Sequence, residues 1–189
     1  MTFLAEPPMT PRVRAMYDAD LESDGYVMDL SRAWAHHPDA NEALSDLIRS
    51  VAAAGDLTVR ERGILVTACA STMGDSYCSL AWGKRLADAA EPALAAAVLT
   101  GSDAGLSETE CLLAAWARKV AADPNGTTEA DVRALRDAGF DDSRIFALTA
   151  FVALRIAFST VNDALGAVPD DELHDTVPPE VRAAVTWGR

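Results

Sequence analysis

The chain is punctuated by helix starts. Thr58 and Glu61, Ser107 and Glu110, and Thr128 and Asp131 each set a hydroxyl three residues ahead of an acid, just before a run of helical periodicity. At that spacing the hydroxyl accepts from the backbone amide three residues on, and the acid reaches back to the amide of the capping residue. Two donors that a helix leaves unpaired are then satisfied together. Glycines at 55, 74, 101 and 139 stand where such helices should stop. Strand signals are few: there is no sustained period-two alternation, and the Asn125-Gly126 pair lies between two helical patterns, not between β-branched runs. The expected fold class is all-α.

With 189 residues, half of them apolar, the chain has enough material for one substantial core, and no shift in composition divides it. The expected layout is a Pro-rich arm over 1–24, a helical domain over 25–167, and an acid- and proline-rich tail over 168–189 lying on the surface or on a neighbouring subunit. Within the domain, a short helix near MDLSRAWAHH stops at Pro38, and DANEALSDLIRSVAAAG follows with Ala43, Leu44, Leu47, Ile48 and Val51 at helical spacing. A helix from Thr58 to about Thr72 is broken at Met73 and Gly74, and Asp75 or Ser76 caps another through about Ala90. EPALAAAVLTG, the Ser107 helix up to Pro124, the Thr128 helix and the long segment DDSRIFALTAFVALRIAFSTVNDALG complete the series.

Sixteen basic against 29 acidic residues leave a net charge of −13, which repels phosphate backbones and anionic lipid; nucleic acid and membrane are excluded as expected partners. The longest apolar run, Ile145 to Phe158, is shorter than the ~20 residues of a membrane span and carries Arg155, so it reads as a buried helix. The opening MTFLAEPPMTPRVR lacks the basic start and apolar stretch of a secretory signal, and three dispersed cysteines imply no disulfide framework. A cytoplasmic location is the expectation. His36, His37 and His174 show no metal-ligand spacing, and His36 and His37 read as the end of a helix, where a cationic ring is favoured. No metal and no cofactor are expected.

The stretch GDSYCSLAWGKRL, beginning at Gly74, places Cys78 in the first turn of a helix, where free amides and the helix dipole favour a thiolate. Asp75, one turn upstream, opposes a second negative charge. Lys84 and Arg85 lie about two turns along and help only by folding back. The alternative for Cys78 is a small buried hydrophobe, and that reading suits Cys69 and Cys111 better still.

RERG at Arg60 to Gly63, followed by GDSYCSLAW at Gly74 to Trp82, resembles the core motif of the alkylhydroperoxidase AhpD and carboxymuconolactone decarboxylase superfamily. GYVMDLSRAWAHHP, LSETECLLAAWARKVAADPNGTTEADVRALRDAG and NDALG extend the resemblance over about residues 25 to 166. It implies an all-α fold assembling as a dimer, trimer or hexamer. In the family's thiol peroxidases one cysteine attacks peroxide, a second resolves it as a disulfide, and a Glu–His relay takes the thiol proton, as an activated nucleophile requires. By position the attacking cysteine is Cys78. The resolving cysteine falls on Asp75, the relay histidine on Trp82 and the relay glutamate on Gly63. Glu61 sits two residues away, roughly 200° round the helix, and is no substitute.

A disulfide-cycling peroxidase is therefore not expected. The resemblance and the altered residues together suggest a cofactor-free enzyme acting on a small organic molecule, aromatic or lactone-bearing, in specialised metabolism. Asp75 is its candidate acid or base, Tyr77 its hydrogen-bond donor and Cys78 a polar contact or nucleophile. Met73, Ser76, Trp82 and Arg155 are the candidate substrate contacts, with Trp82 a stacking wall. Arg155, costly to bury alone, should meet a carboxylate, a subunit neighbour or an anionic substrate. Two other readings remain open: a single-cysteine thiol peroxidase fed by an external reductant, and a non-catalytic oligomeric binding or scaffold protein.

Overall fold

In the computed structural model, which describes residues 2–189, every regular element among the described residues is helical. The helices are α1 (Pro11–Ser23), α2 (Asp29–Trp34), α3 (Pro38–Ala54), α4 (Val59–Met73), α5 (Ser76–Ala89), α6 (Pro92–Leu99), α7 (Glu108–Ala122), α8 (Glu129–Asp137), α9 (Asp142–Ala164), α10 (Asp171–Thr176) and α11 (Pro179–Ala184). All three expected capping boxes close. At the first, Thr58 Oγ1 accepts from the Glu61 amide at 3.1 Å and Glu61 Oε2 accepts from the Thr58 amide at 2.9 Å.

The core is built around α4, in which every residue from Gly63 to Ala70 is buried. A helix apolar on all sides has to be enclosed, and α4 is enclosed by α5, α6, α7 and α9. Its contact with α5 is close at Gly63: a Cβ there would stand 3.1 Å from both Cβ and Cδ1 of Leu86. Gly74 then ends α4 in the left-handed region at φ 75°, which lets the chain reverse directly into α5.

Three sequence expectations change. The arm contains α1, capped by Thr10; it buries only Val13, Tyr17 and Asp20, too thin an apolar stripe to read from periodicity. The tail is wedged into the core. Val181 is fully buried, and a Cβ on Gly83 of α5 would meet Val181 Cγ1 at 2.7 Å. Helices as short as α10 and α11 leave no period to detect. His37, expected at a helix C-terminus, instead caps the N-terminus of α3: its Nδ1 accepts from the Ala40 amide at 3.2 Å, a role that needs a lone pair on that nitrogen.

The segment expected to be a buried helix belongs to the longer α9, buried on one side only. Ala153 and Ala157 are exposed, and Phe146 is 73% exposed. At 23 residues α9 is long and apolar enough to cross a membrane by length and composition. Its protein-facing side, however, carries Arg155, Ser159 and Asn162, all buried.

Candidate functional site

The α4–α5 turn fixes the cysteine. Asp75 is the N-cap of α5, and its Oδ1 accepts from the Cys78 amide at 2.9 Å. Capping commits one carboxylate oxygen to the fold, while Oδ2, also buried, has no hydrogen-bond partner among the described residues. Residues 75, 78, 79 and 82 share one face of this helix start, and Cys78 points across to α9. There, Arg155, Ser159, Asn162 and Asp163 recur at the spacing of one helix face. Two polar stripes thus meet inside an otherwise apolar fold.

Arg155 is the centre of that seam. Its Nη2 donates to Cys78 Sγ at 3.4 Å. Its guanidinium carbon lies 5.2 Å from the Trp82 ring and 4.9 Å from the Phe158 ring, and Phe158 stacks in turn on Trp34 at 5.4 Å. The exposed Arg85 guanidinium also lies over the indole, at 4.9 Å. Among the described residues Arg155 forms no ion pair, and its buried Nε has no acceptor. Two aromatic faces supply about 1–4 kcal/mol to a desolvated cation, against an effective burial cost of several kcal/mol. The Arg155 cation is left without a paired acid among the described residues.

Burial is the largest influence on the Cys78 thiol and pushes it up to about 12, with Arg155 pulling down and Asp75 adding to the rise. Cys69 is also held at about 12 by burial; it too feels Arg155 and Asp75, and its sulfur lies 4.0 Å from that of Met73. At the far end of the seam, burial and the charge of Asp75 raise the Asp163 carboxyl to about 6. Asp163 is held by the end of the chain, its carbonyl accepting from Arg189 Nη1 at 2.6 Å.

The expected site residues separate into two groups. Cys78, Trp82 and Arg155 come together. Tyr77 faces elsewhere: burial and its hydrogen bond to Asp170 raise its hydroxyl, and Asp170 Oδ1 also accepts from the Asp29 amide at 3.0 Å, so Tyr77 ties α5 to α2 and the tail. Ser76 donates to the Arg189 carbonyl at 2.9 Å, another anchor of the tail. Met73 packs on the core. Asp75 is 0% exposed and Cys78 2%, so in the single chain both are sealed from solvent. That placement removes Tyr77, Ser76 and Met73 from the group around the sulfur and gives Asp75 a structural duty. Of the three partners expected for Arg155, a carboxylate, a subunit neighbour or an anionic substrate, the first does not pair with it among the described residues.

Sequence reasoning passed over Phe158, Ser159, Asn162 and Asp163. The available signal was the polar series 155, 159, 162 and 163 on one side of an apolar helix. It also missed Arg62, which lines a cleft of about 450 Å³ with Val59, Trp82, Arg85, Asp88 and Ala89. Among the described residues no group of three or more His, Cys, Asp or Glu side chains is placed to hold a metal ion.

No protein-family profile matches the chain, and no curated protein matches it. Solved structures do. An uncharacterized peroxidase-related protein from Ralstonia eutropha JMP134, described as an alkylhydroperoxidase AhpD core, superposes with a TM-score of 0.80 at 24% identity, covering 91% of this chain and 94% of its own. An uncharacterized peroxidase-related protein from Silicibacter sp. TM1040 gives 0.81 at 21% identity over 92% and 94%. The debrominase Bmp8, as a cysteine-to-alanine variant in complex with 2,3,4-tribromopyrrole, gives 0.73 at 14% identity over 93% and 97%. Over about nine-tenths of the chain the helices are laid out as an AhpD-like fold.

Proposed function

We propose that this protein is a cofactor-free enzyme on the AhpD-like fold, acting on a small flat organic molecule beside Cys78 and without a disulfide-cycling peroxidase reaction. The observation that carries this reading is the Arg155 guanidinium, held between the Trp82 and Phe158 rings, directed at Cys78 Sγ and lacking a carboxylate partner. A structural arginine would be expected to close on an acid, which this acidic chain has in abundance. Trp82, half-buried and lining the outer cleft, is the side chain whose movement admits a ligand and frees an indole face that Arg85 and Arg155 now cover. Among the solved relatives, Bmp8 holds a flat aromatic ligand, 2,3,4-tribromopyrrole.

A thiol pushed up to about 12 and enclosed by protein is poorly suited to attack peroxide, and a Cβ at Gly63 already presses on Leu86, so α4 has no room for a relay glutamate. Assembly as a homo-oligomer in the cytoplasm belongs to the same proposal; the exposed Leu47 on α3 and Phe146 on α9 favour self-association.

The test has two arms. Purified protein is assayed with cumene hydroperoxide and a dithiol donor, alongside Cys78→Ala; robust cysteine-dependent turnover would overturn the proposal. Protein incubated with a metabolite extract and then denatured for mass spectrometry should release a small organic compound that is missing from Trp82→Ala and Arg155→Gln.

A further inference from the structure

We infer that the site is built for an anion: a flat organic carboxylate taken up in the cleft between Arg62 and Arg85 and passed, past the Trp82 indole, to Arg155. This deepens the enzyme reading above and rests on it for the identity of the site.

Three arginines gather around one indole in a chain whose net charge is −13. The exposed Arg85 lies 4.9 Å from the Trp82 ring and the buried Arg155 5.2 Å from it, and Arg62 lines the same cleft as Trp82 and Arg85. None of the three forms an ion pair among the described residues, whereas most arginines of the chain do. The acid of the cleft, Asp88, is engaged by Lys84 at 3.2 Å. Neither Arg62 Nε nor Arg155 Nε, both buried, has an acceptor, and Arg155 is only 8% exposed.

The arginines act on each other. Although Arg85 is exposed, its guanidinium is pulled below its ordinary value, by desolvation first and then by the positive charges of Arg155 and Arg62, with Asp24 and Cys78 opposing. Like charges held together with no acid paired to any of them destabilise the empty site, and an anion bound among them offsets that repulsion. A carboxylate accepts two parallel N–H bonds from a guanidinium, and a flat body suits the indole face. At about 450 Å³ the cleft falls within the ~300–1,000 Å³ span of small-molecule sites.

The probes are benzoate and its neutral isostere benzamide, titrated into ¹⁵N-labelled protein while following the Trp82 indole N–H resonance, assigned by its loss in Trp82→Phe. Benzoate should shift that resonance and bind at least about tenfold more tightly than benzamide, since a charge-assisted hydrogen bond contributes more than a neutral one. Arg62→Gln and Arg85→Gln, both at solvent-reached positions, should each weaken benzoate about tenfold and leave benzamide unchanged. Equal binding of the two probes, no shift with either, or wild-type benzoate affinity in both variants would overturn the inference. The enzyme reading fails separately: hydroperoxide turnover through Cys78 would remove it while leaving the anion site, and turnover of a neutral compound without benzoate binding would do the reverse.

Discussion

The state of the Cys78 thiol gives the sharpest test of how this site is built. Burial, opposed by Arg155 and reinforced by Asp75, moves it from 9.0 to about 12. At pH 8 a thiol with the ordinary value is about one-tenth thiolate, and one at 12 about one part in ten thousand, a ratio of roughly a thousandfold. Alkylation of native Cys78 by iodoacetamide should therefore be at least about a thousandfold slower than in the unfolded chain, and slower still because the sulfur is 2% exposed. The assay is peptide mass spectrometry after timed labelling, with the less buried Cys111 as the internal standard. The rate should climb with pH without a plateau below about 11, whereas Asp75→Asn, which keeps the N-cap and removes the negative charge, should speed it. Because the folded value lies above the unfolded one, the stability carried by the neutral thiol is intact below about pH 9 and lost as pH rises towards 12. Labelling of Cys78 as fast as Cys111 at pH 8, or a plateau near pH 8, would refute this account. It would mean that Arg155 outweighs burial and that the sulfur is an activated nucleophile.

Three further outcomes follow from the fold and the seam. Thr58→Ala opens the first capping box and should cost about 1 kcal/mol in urea unfolding. Gly63→Ala sets a methyl 3.1 Å from Leu86 and should cost about 1–3 kcal/mol by overpacking, so the still larger glutamate placed there should fail to give stable protein. Asp163, raised from 3.8 to about 6, stabilises the fold fully in its protonated form below about pH 4 and loses that contribution as pH rises through about 6. Asp163→Asn should accordingly raise stability at pH 7 by about 1 kcal/mol, allowing for solvent screening of a half-buried group, and change little at about pH 4 in thermal melts.

The legible part of the fold was its local grammar. The helix starts at Thr58, Ser107 and Thr128 were readable because each depends on hydrogen bonds spanning three residues. The helices within 1–24 and 168–189 were not, since α1 has a thin apolar stripe and α10 and α11 are held by contacts such as Val181 against Gly83, distant in sequence. His37 was assigned to the wrong end of a helix because Pro38 reads as a stop for one helix and serves equally as the first residue of the next.

The candidate site divides the same way. Sequence by itself determined an all-α chain and placed Cys78 in the first turn of a helix behind Asp75. The tertiary structure decided what the cysteine faces. The hydrogen bond from Arg155 to Cys78 joins residues 77 apart, and the stack of Trp34, Phe158, Arg155, Trp82 and Arg85 draws on α2, α5 and α9. Such an arrangement depends on how those helices are rotated and spaced by the core around α4, and no local spacing records it. Packing alone turns the cation of an apolar helix onto a thiol, with no ion pair to an acid among the described residues.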